Sequence, residues 1–192
     1  PAPCAESLCA LPNVEAVLVG SPPAAHLENV LSAASAQKPI FCEKPLALNT
    51  AECDRMISAC REAGVPLFVG QVLRLFPLFR HSRVLIDEGK IGAPRAVSIT
   101  RTGYGDLFHA GWRTQRAVAG GLLLEVNAHE FDYMRCLLGK PAEVYARLHN
   151  LLGRMDFEDQ GFVTVSFESG ATACLHTSLS SPTSPSSPSS PS

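Results

Sequence analysis

A lysine directly after an apolar run, between a glutamate and a proline, is the first feature of this chain that invites a chemical reading. Pro39 to Cys42 is apolar and Glu43-Lys44-Pro45 follows it. Structure alone would prefer a turn former there. Pro45 disfavours the helical region for Lys44. An ammonium held near low-dielectric surroundings gives up its proton more readily than one in water, so it can trade protons with a ligand. A plainer reading stays open, in which Lys44 pairs with Glu43 and faces solvent. The second chemical cluster is Gly120-Gly121 leading into Glu125 and His129. The spacing predicts one helix over 122–138, closed by Gly139, with Glu125 and His129 four apart on one face. An imidazole beside a carboxylate can perform acid/base work or bind a hydroxyl. The same spacing could hold a metal, though two ligands make a weak case, or it could be structural.

The elements that must position these groups are legible from periodicity. Residues 15–20 form a short run rich in β-branched types, which reads as a strand buried on both faces. Leu27, Val30, Leu31 and Ala34 mark a helical stripe. Residues 39–42 read as a second strand. Asn49 and Glu52 have the spacing of a capping box, followed by a helix carrying Cys53, Met56, Ile57 and Cys60 and stopped by Gly64. Residues 66–70 are a third strand. This β-α-β-α-β order implies a parallel sheet with right-handed crossovers. Such sheets bind ligands at the carboxyl ends of their strands. Three ends are candidates here: Gly20-Ser21-Pro22, Glu43-Lys44-Pro45 and Gly70-Gln71. His26 follows the proline turn and is placed to cap a helix. Arg74 sits where the first domain ends, suited to an anionic ligand or to an ordinary ion pair.

Beyond residue 76 the pattern changes. A helix is expected over 77–88 and a strand over 95–101. Residues 104–119 read as an active-site loop, with Tyr104, Asp106, Trp112 and Arg113 as substrate candidates. Strands follow at 144–149, 161–167 and 171–177, the last pair joined by a hairpin through Glu168-Ser169-Gly170. The fold class is α/β: a partial Rossmann-type parallel sheet (residues 1–72), then an incomplete α+β domain with a mainly antiparallel sheet (residues 73–179). Residues 180–192 repeat Ser and Pro, which suits polyproline II or a disordered linker; a phosphorylatable Ser-Pro tail is the sharper reading. A net charge of −2 gives no footprint for nucleic acid, and no apolar run is long enough to span a bilayer. The first residues show no secretory leader. Seven cysteines without a C-x-x-C pair argue against a disulfide framework or zinc ribbon and for a reducing, cytoplasmic setting.

Taken together, these residues resemble the Gfo/Idh/MocA oxidoreductases, the family of glucose–fructose oxidoreductase and inositol dehydrogenase. The resemblance runs from about Glu6 to Thr177. It is carried by the segment from Val19 to His26, by Glu43-Lys44-Pro45, by Gly70-Gln71 with Arg74 and Phe76-Pro77, by Ile86 to Gly92, and by Gly120-Gly121 with Glu125 and His129. It implies an NAD- or NADP-dependent enzyme acting on a sugar or polyol, and a homo-oligomer when full-length. Lys44 and His129 would be catalytic. Glu125, Trp112 and Arg113 would bind substrate. Ser21, Pro22, His26, Glu43, Lys44, Gln71 and Arg74 would line the cofactor. No metal is implied. Two departures stand out: no G-x-G-x-x-G turn precedes Glu15, and the second sheet is short. The expectation is a fragment with exposed apolar faces and impaired activity. Two other functions fit the scaffold: a non-catalytic cofactor-binding or regulatory protein, and an NAD-assisted glycoside hydrolase.

Overall fold

The structure, a computed structural model, describes residues 4–103 and 111–179. Tyr104, Asp106 and the Ser/Pro tail lie outside the described residues. A short helix α1 (Ala5–Cys9) precedes β1 (Val17–Val19), α2 (His26–Ser35), β2 (Ile40–Cys42), α3 (Thr50–Ala63) and β3 (Leu67–Val69). The three strands pair in the order β1-β2-β3, all parallel, as the alternation of strand and helix patterns requires. The core on one face joins Val19, Ile40 and Cys42 to Val30, Ala33 and Ala34 of α2 and Met56 and Cys60 of α3.

Asn49 caps α3 as its spacing to Glu52 suggests, but the Glu52 carboxylate does not return to the Asn49 main-chain N–H as a full capping box would. The Asn49 side chain accepts the Glu52 N–H at 3.0 Å, and the Glu52 carboxylate takes the Asn49 amide at 2.9 Å and the Leu48 N–H at 3.1 Å. Gly64, in the left-handed region, ends α3. This fixes where the helix starts, at Thr50, six residues after Lys44.

One expectation about this sheet needs correction. The strands are not buried on both faces. Leu18 and Phe68 remain 72% and 65% exposed and Phe41 is also exposed. These three are register partners across β1, β2 and β3, so they form one apolar row. A run such as Val17-Leu18-Val19 is apolar on both sides, so its sequence does not say which side a helix covers.

The second half contains α4 (Pro77–Asp87), β4 (Ala96–Thr102), α5 (Arg116–Ala119), α6 (Leu122–Glu125), α7 (Ala128–Leu138), β5 (Pro141–His149), β6 (Gln160–Phe167) and β7 (Thr172–Ser178). The four strands pair as β4-β7-β6-β5, with β4 and β7 parallel and the rest antiparallel. Burial alternates along β6 and β7, covering Val163, Val165, Phe167, Ala173 and Leu175. The hairpin between them turns at Gly170, where the Phe167 N–H reaches the Ala171 carbonyl. Phe79 of α4 meets Tyr133 of α7 edge-on at 4.8 Å, and the Tyr133 hydroxyl donates to the Phe79 carbonyl.

The chain packs as two units, and the division is not a single cut. Gln115–His129 packs with the chain up to Phe76, whereas Pro77–Thr114 packs with the chain from Glu130 onward. Sequence order alone had put the whole of 73–179 in the second domain.

Candidate functional site

Three parallel strands deliver three loops to one edge of the sheet. Ser21 follows β1, Glu43 and Lys44 follow β2, and Gly70 and Gln71 follow β3. The loops sit close together. A methyl group at Gly70 would stand 2.8 Å from Glu43 Oε2, so only a bare backbone lets the Glu43 carboxylate lie there. The Gln71 Oε1 atom is buried and has no hydrogen-bond partner among the described residues. A buried amide oxygen of this kind is costly unless something donates to it.

Lys44 is partly buried, and its peptide bond to Pro45 is cis. Its ammonium does not pair with Glu43, as the plainer reading had it. The Lys44 Nζ donates to the main-chain carbonyl of Glu125 and stands 3.8 Å from Glu125 Oε2. The Lys44 main-chain N–H is what faces Glu43, at 3.3 Å from Oε2. Lys44 and Glu125 are 81 residues apart, so the fold brings together the two clusters that the sequence had shown separately.

Glu125 reaches this position through a glycine pair. Gly120 ends α5 at φ +87°, and Gly121 starts α6 at φ +97°. Both angles lie where side chains are strained. A methyl group at Gly120 would overlap the Leu124 side chain and stand 3.2 Å from Leu48. A methyl group at Gly121 would sit 2.8 Å from the Arg116 guanidinium. Arg116 therefore lies across the start of α6, a residue that the sequence reading did not single out.

The single helix expected over 122–138 is two helices. Glu125 is the last residue of α6 and His129 the second of α7, with Val126 and Asn127 between them in a turn. The two side chains do not share the face of one helix. Val126 is β-branched, and Asn127 is fully buried with an amide that competes with the backbone for hydrogen bonds. His129 is half-buried. Next to it, Glu130 is nearly buried and pairs with Arg101 of β4 at 2.6 Å, an ion pair that no local spacing announced.

His26 is placed differently from the expected cofactor-lining role. It is wholly buried, and its ring points into the protein. Its Nδ1 lies 2.9 Å from the Pro45 carbonyl and 3.2 Å from that of Leu46, and its Nε2 lies 2.8 Å from the Ser21 carbonyl. It is the first residue of α2, but its ring caps no helix. Ser21 itself accepts the Asn29 side-chain amide at 3.0 Å. Pro22 is half-buried beside it, and Arg74 is exposed at the end of a short 3₁₀ turn.

Trp112 and Arg113 form another 3₁₀ turn, where the expected loop has local order, and belong to the other unit. The Arg113 guanidinium stacks over the indole at 4.2 Å, an arrangement in which ring quadrupole and charge attract. Burial pushes the Cys42 thiol at the end of β2 up to about 12, with Glu43 adding to the shift. That thiol is an inert packing group.

Comparison with known proteins places this geometry in a family. Residues 2–71 match the oxidoreductase family described as having an NAD-binding Rossmann fold, and residues 79–187 match the GFO/IDH/MocA C-terminal domain. The chain is 37% identical over 174 residues to a 1,5-anhydro-D-fructose reductase of Ensifer adhaerens, covering 89% of this chain and 52% of that protein. It is 36% identical over 172 residues to a myo-inositol 2-dehydrogenase of Thermotoga maritima, covering 87% and 50%. Among solved structures it is similar to the WlbA dehydrogenase of Bordetella pertussis in complex with NADH and UDP-GlcNAcA, with TM-score 0.83, 26% identity, and coverage of 90% of this chain and 51% of that one. The chain thus spans about half the length of the relatives it matches.

Proposed function

The chain belongs to the GFO/IDH/MocA oxidoreductase family, and on that premise we propose that it carries the proton-handling half of a nicotinamide-dependent sugar or polyol oxidoreductase. One observation carries the reading: Lys44, at the carboxyl end of the middle parallel strand, turns its ammonium onto Glu125 from a separate part of the sequence. An alcohol that loses hydride must also lose its hydroxyl proton, and a lysine held by a buried carboxylate can hold that hydroxyl and move the proton. His129 shares the acid/base role. Glu125 holds Lys44 and orients the substrate hydroxyl. Trp112 and Arg113 recognise the sugar, the indole by stacking and the guanidinium by donating.

The residues at the three strand ends fit a nicotinamide cofactor, because the buried Gln71 oxygen needs a donor and the carboxamide of such a cofactor supplies one. Ser21, Pro22, Glu43, Gln71 and Arg74 would hold it. When bound, the cofactor supplies the hydride acceptor or donor. The substrate class is proposed from the anhydro-sugar reductase and the inositol dehydrogenase among the relatives. No described helix is long and apolar enough to cross a membrane. All seven cysteines are free, which supports a reducing compartment such as the cytoplasm. A second copy of the chain is proposed to cover the outer face of the second sheet, where Tyr145 and Phe162 are exposed on the same side.

The test is turnover. The full-length protein, offered inositols and anhydro sugars with NAD or NADP, should reduce the cofactor, and Lys44→Met should lower kcat by about 10²–10⁴-fold, the usual weight of a positioned acid/base. A Lys44→Met enzyme with wild-type turnover would remove the proposed role.

A further inference from the structure

We propose that His26 is a positioning residue: its buried ring, set between the main-chain carbonyls of Ser21 on one side and of Pro45 and Leu46 on the other, ties the loop that carries Ser21 to the loop that carries Lys44. The inference rests on the role proposed above for Lys44, although its geometry stands without it.

All three atoms that face the ring are backbone carbonyl oxygens: Pro45 and Leu46 on Nδ1, Ser21 on Nε2. A carbonyl oxygen only accepts. The ring is fully buried, so water cannot stand in for it, and removing the ring leaves buried carbonyl oxygens short of a partner.

The placement gives this ring its consequence. His26 opens α2, the helix between β1 and β2. From there it reaches across 19 and 20 residues of sequence to the main chain just after Lys44, and back five residues to Ser21. The two loops at the carboxyl ends of neighbouring parallel strands are therefore joined through one side chain. Lys44 directly precedes the tethered Pro45. Without the tether, the Lys44 main chain would no longer be fixed relative to β1, and its reach toward Glu125 would loosen.

Two measurements test this, and neither uses cofactor or turnover. The first is nitrogen NMR of the histidine rings in the intact chain at neutral pH, with His26 identified by the signal lost in His26→Gln. The expected result is a His26 ring N–H that exchanges only slowly with water, as bonding to a buried carbonyl requires; a His26 ring with no slowly exchanging N–H overturns the proposal. The second is acylation of lysines by an amine-reactive reagent, read peptide by peptide. In His26→Gln, which keeps a donor on one side only, Lys44 should label roughly tenfold faster, the effect expected when hydrogen bonds to a charged group are lost, while Lys38 is unchanged. Unchanged labelling of Lys44 in a folded variant overturns the positioning role. If His26→Gln does not fold, the ring NMR of the wild-type chain decides, with His26 assigned from its backbone neighbours. Because the proposed reaction is tested by Lys44→Met turnover, failure there and failure here are told apart.

Discussion

Replacing Lys44 by Met should destabilise the fold measurably, and the size can be worked from the site. The Lys44 Nζ lies 3.8 Å from Glu125 Oε2, with side-chain exposures of 19% and 8%. Two unit charges at about 4 Å attract by roughly 4 kcal/mol at an effective dielectric near 20, before desolvation is subtracted. Removing one partner of a fully buried pair costs about 3–5 kcal/mol, whereas exposed pairs couple by about 0.2–1 kcal/mol. This pair lies between those limits, so the expected coupling is about 1–2 kcal/mol. Glu125→Gln should cost less than Lys44→Met, because the main-chain carbonyl of Glu125 still accepts from Lys44. The assay is urea unfolding of the wild type, both single variants and the double variant. A coupling of this size moves the midpoint by roughly 0.5–1 M. Singles that add to the double within about 0.3 kcal/mol would refute the pair as an interacting unit.

Three further outcomes follow from the same structure. Gly120→Ala forces a residue to φ +87° and overlaps Leu124; strain and overpacking together should cost about 2–4 kcal/mol, and a variant as stable as the wild type in urea would contradict the assigned turn. Mild alkylation should modify exposed Cys4, whose thiol is lowered by the Ser7 hydroxyl, before Cys9, Cys42 and Cys60, which burial raises; peptide mapping that finds Cys42 modified first in native protein would be inconsistent with this. The raised Cys42 thiol also sets a direction with pH. Between its ordinary value of 9.0 and about 12 the unfolded chain has lost a proton that the folded chain keeps, so its stabilising effect is complete below pH 9 and falls by up to about 1.4 kcal/mol per pH unit above it, as urea midpoints across alkaline pH would show.

What the sequence made legible was local. The Asn49–Glu52 cap, the three short strands and the Gly170 hairpin depend on neighbours within a few residues, and each is where its pattern put it. Lys44 stood out because a charged residue directly after a buried strand has few structural reasons to be there. What was not legible depends on residues far apart in sequence. Whether His26 faces a ligand or a carbonyl is decided by a loop 19 residues away. The break between α6 and α7 interrupts an apolar pattern that runs on through Val126, and the burial of Asn127 is settled by packing. The covered face of the first sheet, and the Glu130–Arg101 pair, were hidden for the same reason.

The three strand ends and Lys44 are proposed to form one side of a nicotinamide site, and fluorescence titration of the chain with NADH and NADPH tests this most directly. The account predicts saturable binding to one of them, weakened in a folded Gln71→Ala variant, because Gln71 holds a buried oxygen without a donor among the described residues. Soluble, folded chain that binds neither nucleotide, or binding untouched by that substitution, would contradict it.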